Sequence, residues 1–137
     1  MSYYTLKECL QLPPWRWNWD EIKQLSNTEI EALCKVMGIA SSGSKSQKIF
    51  RLKSVAEVRL FLNGKDLKTL QNLPKKVLVE KAKKVGVIHY LTKYAIAASL
   101  LNWRKSCNSR GMNYVKQIVS LNQANPKQLN LDLFHQL

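Results

Sequence analysis

The sequence predicts an all-α fold. It consists of two tandem helix–loop–helix units packed together, followed by a flexible C-terminal peptide. Three observations predict it. Apolar residues recur at helical spacing, as Ile30, Leu33, Cys34 and Met37 do at i, i+3, i+4 and i+7. No segment alternates apolar and polar residues as a half-buried strand does. The plan also repeats at one fixed offset, the separation of Gly38 from Gly86 and of Lys45 from Lys93. At that same offset Leu25 matches Leu73, Ile30 matches Leu78, Lys35 matches Lys83, Ile39 matches Val87 and Leu52 matches Leu100. A fixed internal period signals a repeated structural unit.

Residues 1–20 make an N-terminal helix and a tryptophan-rich segment. Thr5 to Glu8 has capping-box spacing, and Leu6, Cys9 and Leu10 share a helical face. Pro13-Pro14 ends that helix, because proline lacks the N–H donor and restricts the residue before it. Trp15, Trp17 and Trp19 then alternate. An exposed strip of this kind stacks on bases, but tryptophans this dense more often bury themselves against helices.

Residues 21–64 make the first unit. Asn18 with Glu21 and Ser26 with Glu29 have capping spacing. Gly38 suits a helix C-terminus that needs a left-handed residue. Ser41 to Ser44 is a loop, and a second helix from about Lys45 carries Ile49, Leu52, Ala56 and Leu60 as its apolar face. Asn63-Gly64 ends it. Residues 65–121 make the second unit. Pro74 sits near a helix start, Leu78, Ala82 and Val85 form the apolar face, and Gly86 stops it. Ile88 to Leu91 is the loop, and Thr92 caps a helix from Lys93 through Ile96, Leu100, Trp103 and Cys107. Gly111 is expected to break that helix, leaving Val115, Ile118 and Val119 on a last one. Residues 122–137 are a polar, proline-broken linker and a tail.

With 22 Lys+Arg against 9 Asp+Glu, the chain carries a formal charge of +13. So much like charge on a small domain repels itself, and an anionic partner, above all nucleic acid, relieves it. Cys9, Cys34 and Cys107 are odd in number and lack CxxC spacing, so they read as reduced, buried thiols of a cytoplasmic protein. No secretory leader and no membrane span is expected, and no metal or other cofactor. Catalysis is not expected either. There are two His residues, and no carboxylate cluster or nucleophile–base pair stands out. Gly38 to Ser46 is one residue too long for a phosphate-binding P-loop and follows a helix where that motif needs a strand.

The segment Leu25 to Leu60 resembles a SAP domain, a helix–extended loop–helix DNA-binding module. The matching residues are Met37-Gly38-Ile39, Ser42-Gly43, Lys45 and Arg51-Leu52. The resemblance implies that Gly43, Ser44 and Lys45, with Lys48 and Arg51, face DNA. Elementary chemistry points the same way. Ser42, Gly43 and Ser44 let a phosphate approach the backbone, and the N–H groups of the next helix can donate to it. Lys45, Lys48 and Arg51 add charge that displaces counterions. Nothing there reads bases, so weak sequence preference is expected. The second unit departs from the pattern, with Ile88 to Leu91 in place of Ser and Gly. Lys93 is retained, and Lys83, Lys84 and Arg104 extend the basic supply.

The tail, Gln128, Leu129, Leu131, Leu133 and Phe134, resembles the longer form of the peptide by which bacterial proteins bind the replicative sliding clamp. The resemblance implies that Leu133 and Phe134 enter an apolar pocket while Gln128 orients the peptide, a short-motif mode of recognition. The expectation is therefore a small, nucleoid-associated DNA-binding protein recruited to the sliding clamp in replication, repair or recombination. Two alternatives stand beside it: an RNA-binding or ribosome-associated module, and a protein–protein adaptor with a structural tail.

Overall fold

The computed structural model describes residues 6–124, and all their regular structure is helical. In chain order the elements are α1 (Leu6–Leu10), a 3-10 turn (Pro14–Arg16), α2 (Trp19–Ile22), α3 (Asn27–Val36), α4 (Lys45–Leu62), α5 (Leu67–Gln71), α6 (Lys75–Val85) and α7 (Lys93–Ala124). The short helix α5 has no counterpart among the elements expected from the sequence. Thr5, expected to open the first capping box, lies outside the described residues.

Local chemistry sets the helix starts. Orphan N–H groups in a first turn need an acceptor, and a short polar side chain at the N-cap supplies it. Asn18 Oδ1 accepts from the N–H groups of Asp20 and Glu21 at 3.1 and 3.2 Å. Ser26 and Glu29 form a reciprocal capping box at 3.2 and 3.0 Å. Ser44 and Gln47 form another. Asp66 caps α5, and Thr92 accepts from Ala95 N–H at 3.2 Å to cap α7. Trp19, Asn27 and Lys45 start α2, α3 and α4. Leu67, Lys75 and Lys93 start α5, α6 and α7, each displaced by the offset that relates Gly38 to Gly86. The ends recur as well. Gly38 and Gly86 both have φ near +70°, and the residue after each reaches back to a carbonyl five positions behind it. Ile39 N–H donates to Cys34 O at 3.0 Å, and Val87 N–H to Ala82 O at 3.1 Å. That is the Schellman closure, which a residue with a Cβ adopts only under strain.

Two apolar clusters share α4. Ile49, Leu52 and Val55 join Trp17, Ile22, Leu25, Ile30, Leu33 and Cys34 in one. Val58 and Leu62 join Leu70, Leu78, Ile96 and Leu100 in the other. Trp103 packs against both. Each fully buried Leu or Ile contributes about 1.5–3 kcal/mol, so α4 is held from both ends. Trp17 is buried, its Nε1–H donating to the carbonyls of Cys9 at 2.8 Å and Leu12 at 3.2 Å. Trp15 and Trp19 are half-buried, so the tryptophan strip belongs mainly to packing. Leu60, expected on the apolar face, is 51% exposed, because Val58 and Leu62 face the second cluster and Leu60, two positions from each, points the other way.

Gly111 does not break α7. The helix runs unbroken through it, and the reason is tertiary. A Cβ at Gly111 would overlap the carbonyl oxygen of Val36, and one at Gly38 would overlap the carbonyl of Cys107. The two glycines let α7 cross the C-terminus of α3 backbone to backbone. Arg110 reinforces the crossing, its Nε–H donating to Gly38 O at 2.8 Å.

Candidate nucleic-acid interface

The loop between α3 and α4 is organised by the side chains that the sequence singled out. Arg51, in the second turn of α4, donates to Ala40 O at 2.6 Å and Ser42 O at 3.1 Å. Ser44 Oγ accepts from Gln47 N–H at 3.2 Å, while Gln47 Oε1 accepts from Ser44 N–H at 2.8 Å. Gly43 precedes this capping box at φ +102°, where a Cβ would lie 2.6 Å from Gln47 Oε1. Lys45 reaches back to donate to Lys23 O at 2.8 Å. Thus Arg51 and Lys45 fasten the loop and the helix start to the body.

An open cleft of about 640 Å³ lies against this loop. Ser42, Gly43, Ser46, Gln47, Phe50, Arg51 and Ser54 line it from one side, and Lys84 of α6 enters from the other. The fold therefore brings Lys84, expected on the second unit, to the α3–α4 loop. Lys84 and Lys81 pair with Glu57 of α4, Lys81 at 3.5 Å. The hydrogen bond from Lys84 is the main reason that the Glu57 carboxyl is held below its usual range, against the opposing effect of burial. Phe50 is 73% exposed at the cleft and belongs to neither apolar cluster.

Lys48 does not join this surface, which corrects the sequence expectation. It is 1% exposed, and its ammonium donates to Asn27 Oδ1 and Glu31 Oε1, both at 2.9 Å. That hydrogen bond, and then the ammonium charge, hold the Glu31 carboxyl below its ordinary range. An ammonium with its stem packed and its donors taken by α3 does not meet a phosphate. The repeat carried the missed signal. At the offset that relates Lys45 to Lys93, Lys48 answers to Ile96, which is fully buried.

The remaining basic residues disperse. Lys83 is exposed on α6, and Lys93 is half-buried at the first position of α7. Arg104 donates to Leu62 O at 2.9 Å, at the opposite end of α4 from the loop. The 18 residues of α4 span about 27 Å, so Arg104 belongs to a different surface from Ser42 to Arg51. In the α6–α7 loop Ile88, Tyr90 and Leu91 are exposed, and so is Tyr94, which follows in the first turn of α7. His89 rests near Val87 O at 3.2 Å and edge-on to Tyr90, in a loop role. Gln128, Leu129, Leu131, Leu133 and Phe134 lie outside the described residues.

No family model, no curated protein and no solved structure matches the chain. Among the described residues, no helix is long and apolar enough to cross a membrane.

Proposed function

We propose that the helical body binds DNA through its backbone phosphates, and that the C-terminal peptide recruits it to the replicative sliding clamp. One observation carries the first half. Ser42, Gly43 and Arg51 of the α3–α4 loop region converge with Lys84 of α6 on one open cleft at the start of an 18-residue helix. First-turn amides and the positive end of a helix dipole favour an anion there. The chain as a whole is at +13, so any polyanion is attracted from a distance. The two-unit, SAP-like reading has support in the helix starts, since those at Trp19, Asn27 and Lys45 recur at Leu67, Lys75 and Lys93.

The second half rests on Gln128, Leu129, Leu131, Leu133 and Phe134 alone. Micromolar peptide affinity joined to modest DNA affinity gives avidity through effective concentration. Calorimetry of the full chain against a bacterial sliding clamp tests it, beside a variant with Gln128, Leu133 and Phe134 changed to Ala. Binding that the triple change abolishes supports recruitment; absence of binding by the parent chain ends it. Anisotropy titrations with duplex DNA and duplex RNA, each across salt, test the body. Tighter binding to RNA at every salt concentration would favour the ribosome-associated alternative.

A second reading has its own observation. Ile88, Tyr90, Leu91 and Tyr94 form an exposed, largely apolar run at the start of α7. Clustered exposed apolar groups mark protein-binding surfaces. Under that reading the chain is an adaptor, and Tyr90→Ser/Tyr94→Ser abolishes partner capture while leaving DNA binding intact.

A further inference from the structure

The basic charge is divided between two surfaces. A second open groove, of about 890 Å³, runs between the turn after α4 and the middle of α7. Lys65 borders it from the turn, its ammonium donating to Phe61 O at 2.6 Å, and Arg104, Lys105 and Lys116 border it from α7. From Arg104 to Lys116 is about 18 Å along the helix. Asn108, between them, adds an amide to the lining. One carboxylate, Asp66, borders the groove, but it is committed to capping α5 through Thr69 N–H at 2.8 Å. None of these residues borders the loop cleft.

We propose that this groove is a second contact for the sugar–phosphate backbone of nucleic acid. The inference rests on the DNA-binding reading of the body and gives that reading a second face. Charge complementarity carries it: four cations against one carboxylate leave the groove net positive, and that selects a polyanion. The choice of nucleic acid over an acidic protein follows from what lines the groove. Three of its four cations are lysines, and no aromatic side chain lines it among the described residues. Centres of protein–protein interfaces are rich in aromatics and poor in lysine. Lysine suits phosphate as a point charge. Phosphates of one strand recur about every 3.4 Å of duplex axis, so about 18 Å of α7 passes about five of them. Arg104 also ties the groove to the fold, since its guanidinium is anchored on Leu62 O.

The test uses the full chain and a short DNA duplex, followed by anisotropy between about 50 and 200 mM salt. The variant is Lys105→Gln/Lys116→Gln, at two exposed positions outside both apolar clusters. Circular dichroism checks its fold. The expected result is a log K against log salt slope shallower by about 1.8, from about 0.9 per lost phosphate contact. A loop-cleft variant, Ser42→Glu/Ser46→Glu, is run in parallel. An unchanged slope in the lysine variant, with binding weakened in the serine variant, overturns the second face and leaves the loop cleft standing. Failure of the parent chain to bind DNA or RNA at any salt concentration removes the nucleic-acid reading and this inference together. Poly-glutamate binding that the parent shows more tightly than DNA, and that the lysine variant loses, assigns the groove to an acidic protein and also overturns it.

Discussion

Gly111 of α7 lies directly on the carbonyl of Val36, the last residue of α3, with no room between them for a Cβ. The contact joins α7 to the N-terminal half of the chain. It sits near the middle of a 32-residue helix that would be too long for one small core alone.

Gly111→Ala is expected to destabilise the protein. Helix propensity favours alanine by about 1 kcal/mol. Overlap with a backbone oxygen forces α3 and α7 apart, and overpacking of this kind costs about 1–3 kcal/mol or more. The net loss should appear as a lower urea midpoint. A variant as stable as the parent would mean that the two helices do not meet at this glycine.

Lys48→Met should cost less stability than Lys48→Ala. The stem of Lys48 packs like a hydrophobe, so methionine keeps that packing and loses only the pairing with Asn27 and with Glu31, whose carboxylate is partly in solvent. Lys48→Ala should cost about 2 kcal/mol or more, because it empties the same space. Paired denaturation curves distinguish this from a surface lysine, for which both changes would be near zero.

Acid stability should depend on Glu31 and Glu57. Both carboxyls are held below their usual range, chiefly by the hydrogen bonds from Lys48 and Lys84. A depressed folded-state pKa stabilises the protein above the unfolded value of about 4.3, and that stability is lost as pH falls through the folded value. Thermal midpoints of Glu31→Gln/Glu57→Gln should therefore fall less steeply than those of the parent below about pH 5. Equal slopes would show that neither pair matters to folding.

Gly43→Ala should weaken DNA binding and cost about 1–3 kcal/mol of stability, because the position has φ +102° and the new Cβ presses on Gln47 Oε1. The capping box at the start of α4 would be disturbed with it. Amide exchange at the first turn of α4 should quicken ahead of exchange in α6; uniform exchange would rule out a local effect.

The thiols should be slow to react. Burial pushes the Cys34 and Cys107 thiols up, with nearby Arg and Lys charges only partly offsetting it. Raised thiol values favour the neutral folded form, so their contribution is present below the unfolded value of about 8.5 and declines as pH rises past it. Reaction of these two cysteines with an aromatic disulfide reagent at pH 8 should follow unfolding; rapid reaction in native buffer would contradict their burial.

The helical class and most helix starts and stops are legible in the sequence, because they depend on neighbours along the chain. Ser26 acts with Glu29, Thr92 with the amide of Ala95, and Gly38 and Gly86 with the carbonyls behind them. A cap operates within a few residues, so its spacing can be read directly. Other features depend on partners far away in sequence, and there the one-dimensional reading fails. Gly111 has the look of a break and is a crossing point, since Val36 is the reason for it. Lys48 has the look of surface charge and is buried, since Asn27 and Glu31 lie on a different helix. Lys84 and Arg104 read as one supply of charge, yet packing sends Lys84 to the loop cleft and Arg104 to the far end of α4. Composition gives the amount of charge, but only the packing of α6 and α7 against α4 divides it between two surfaces.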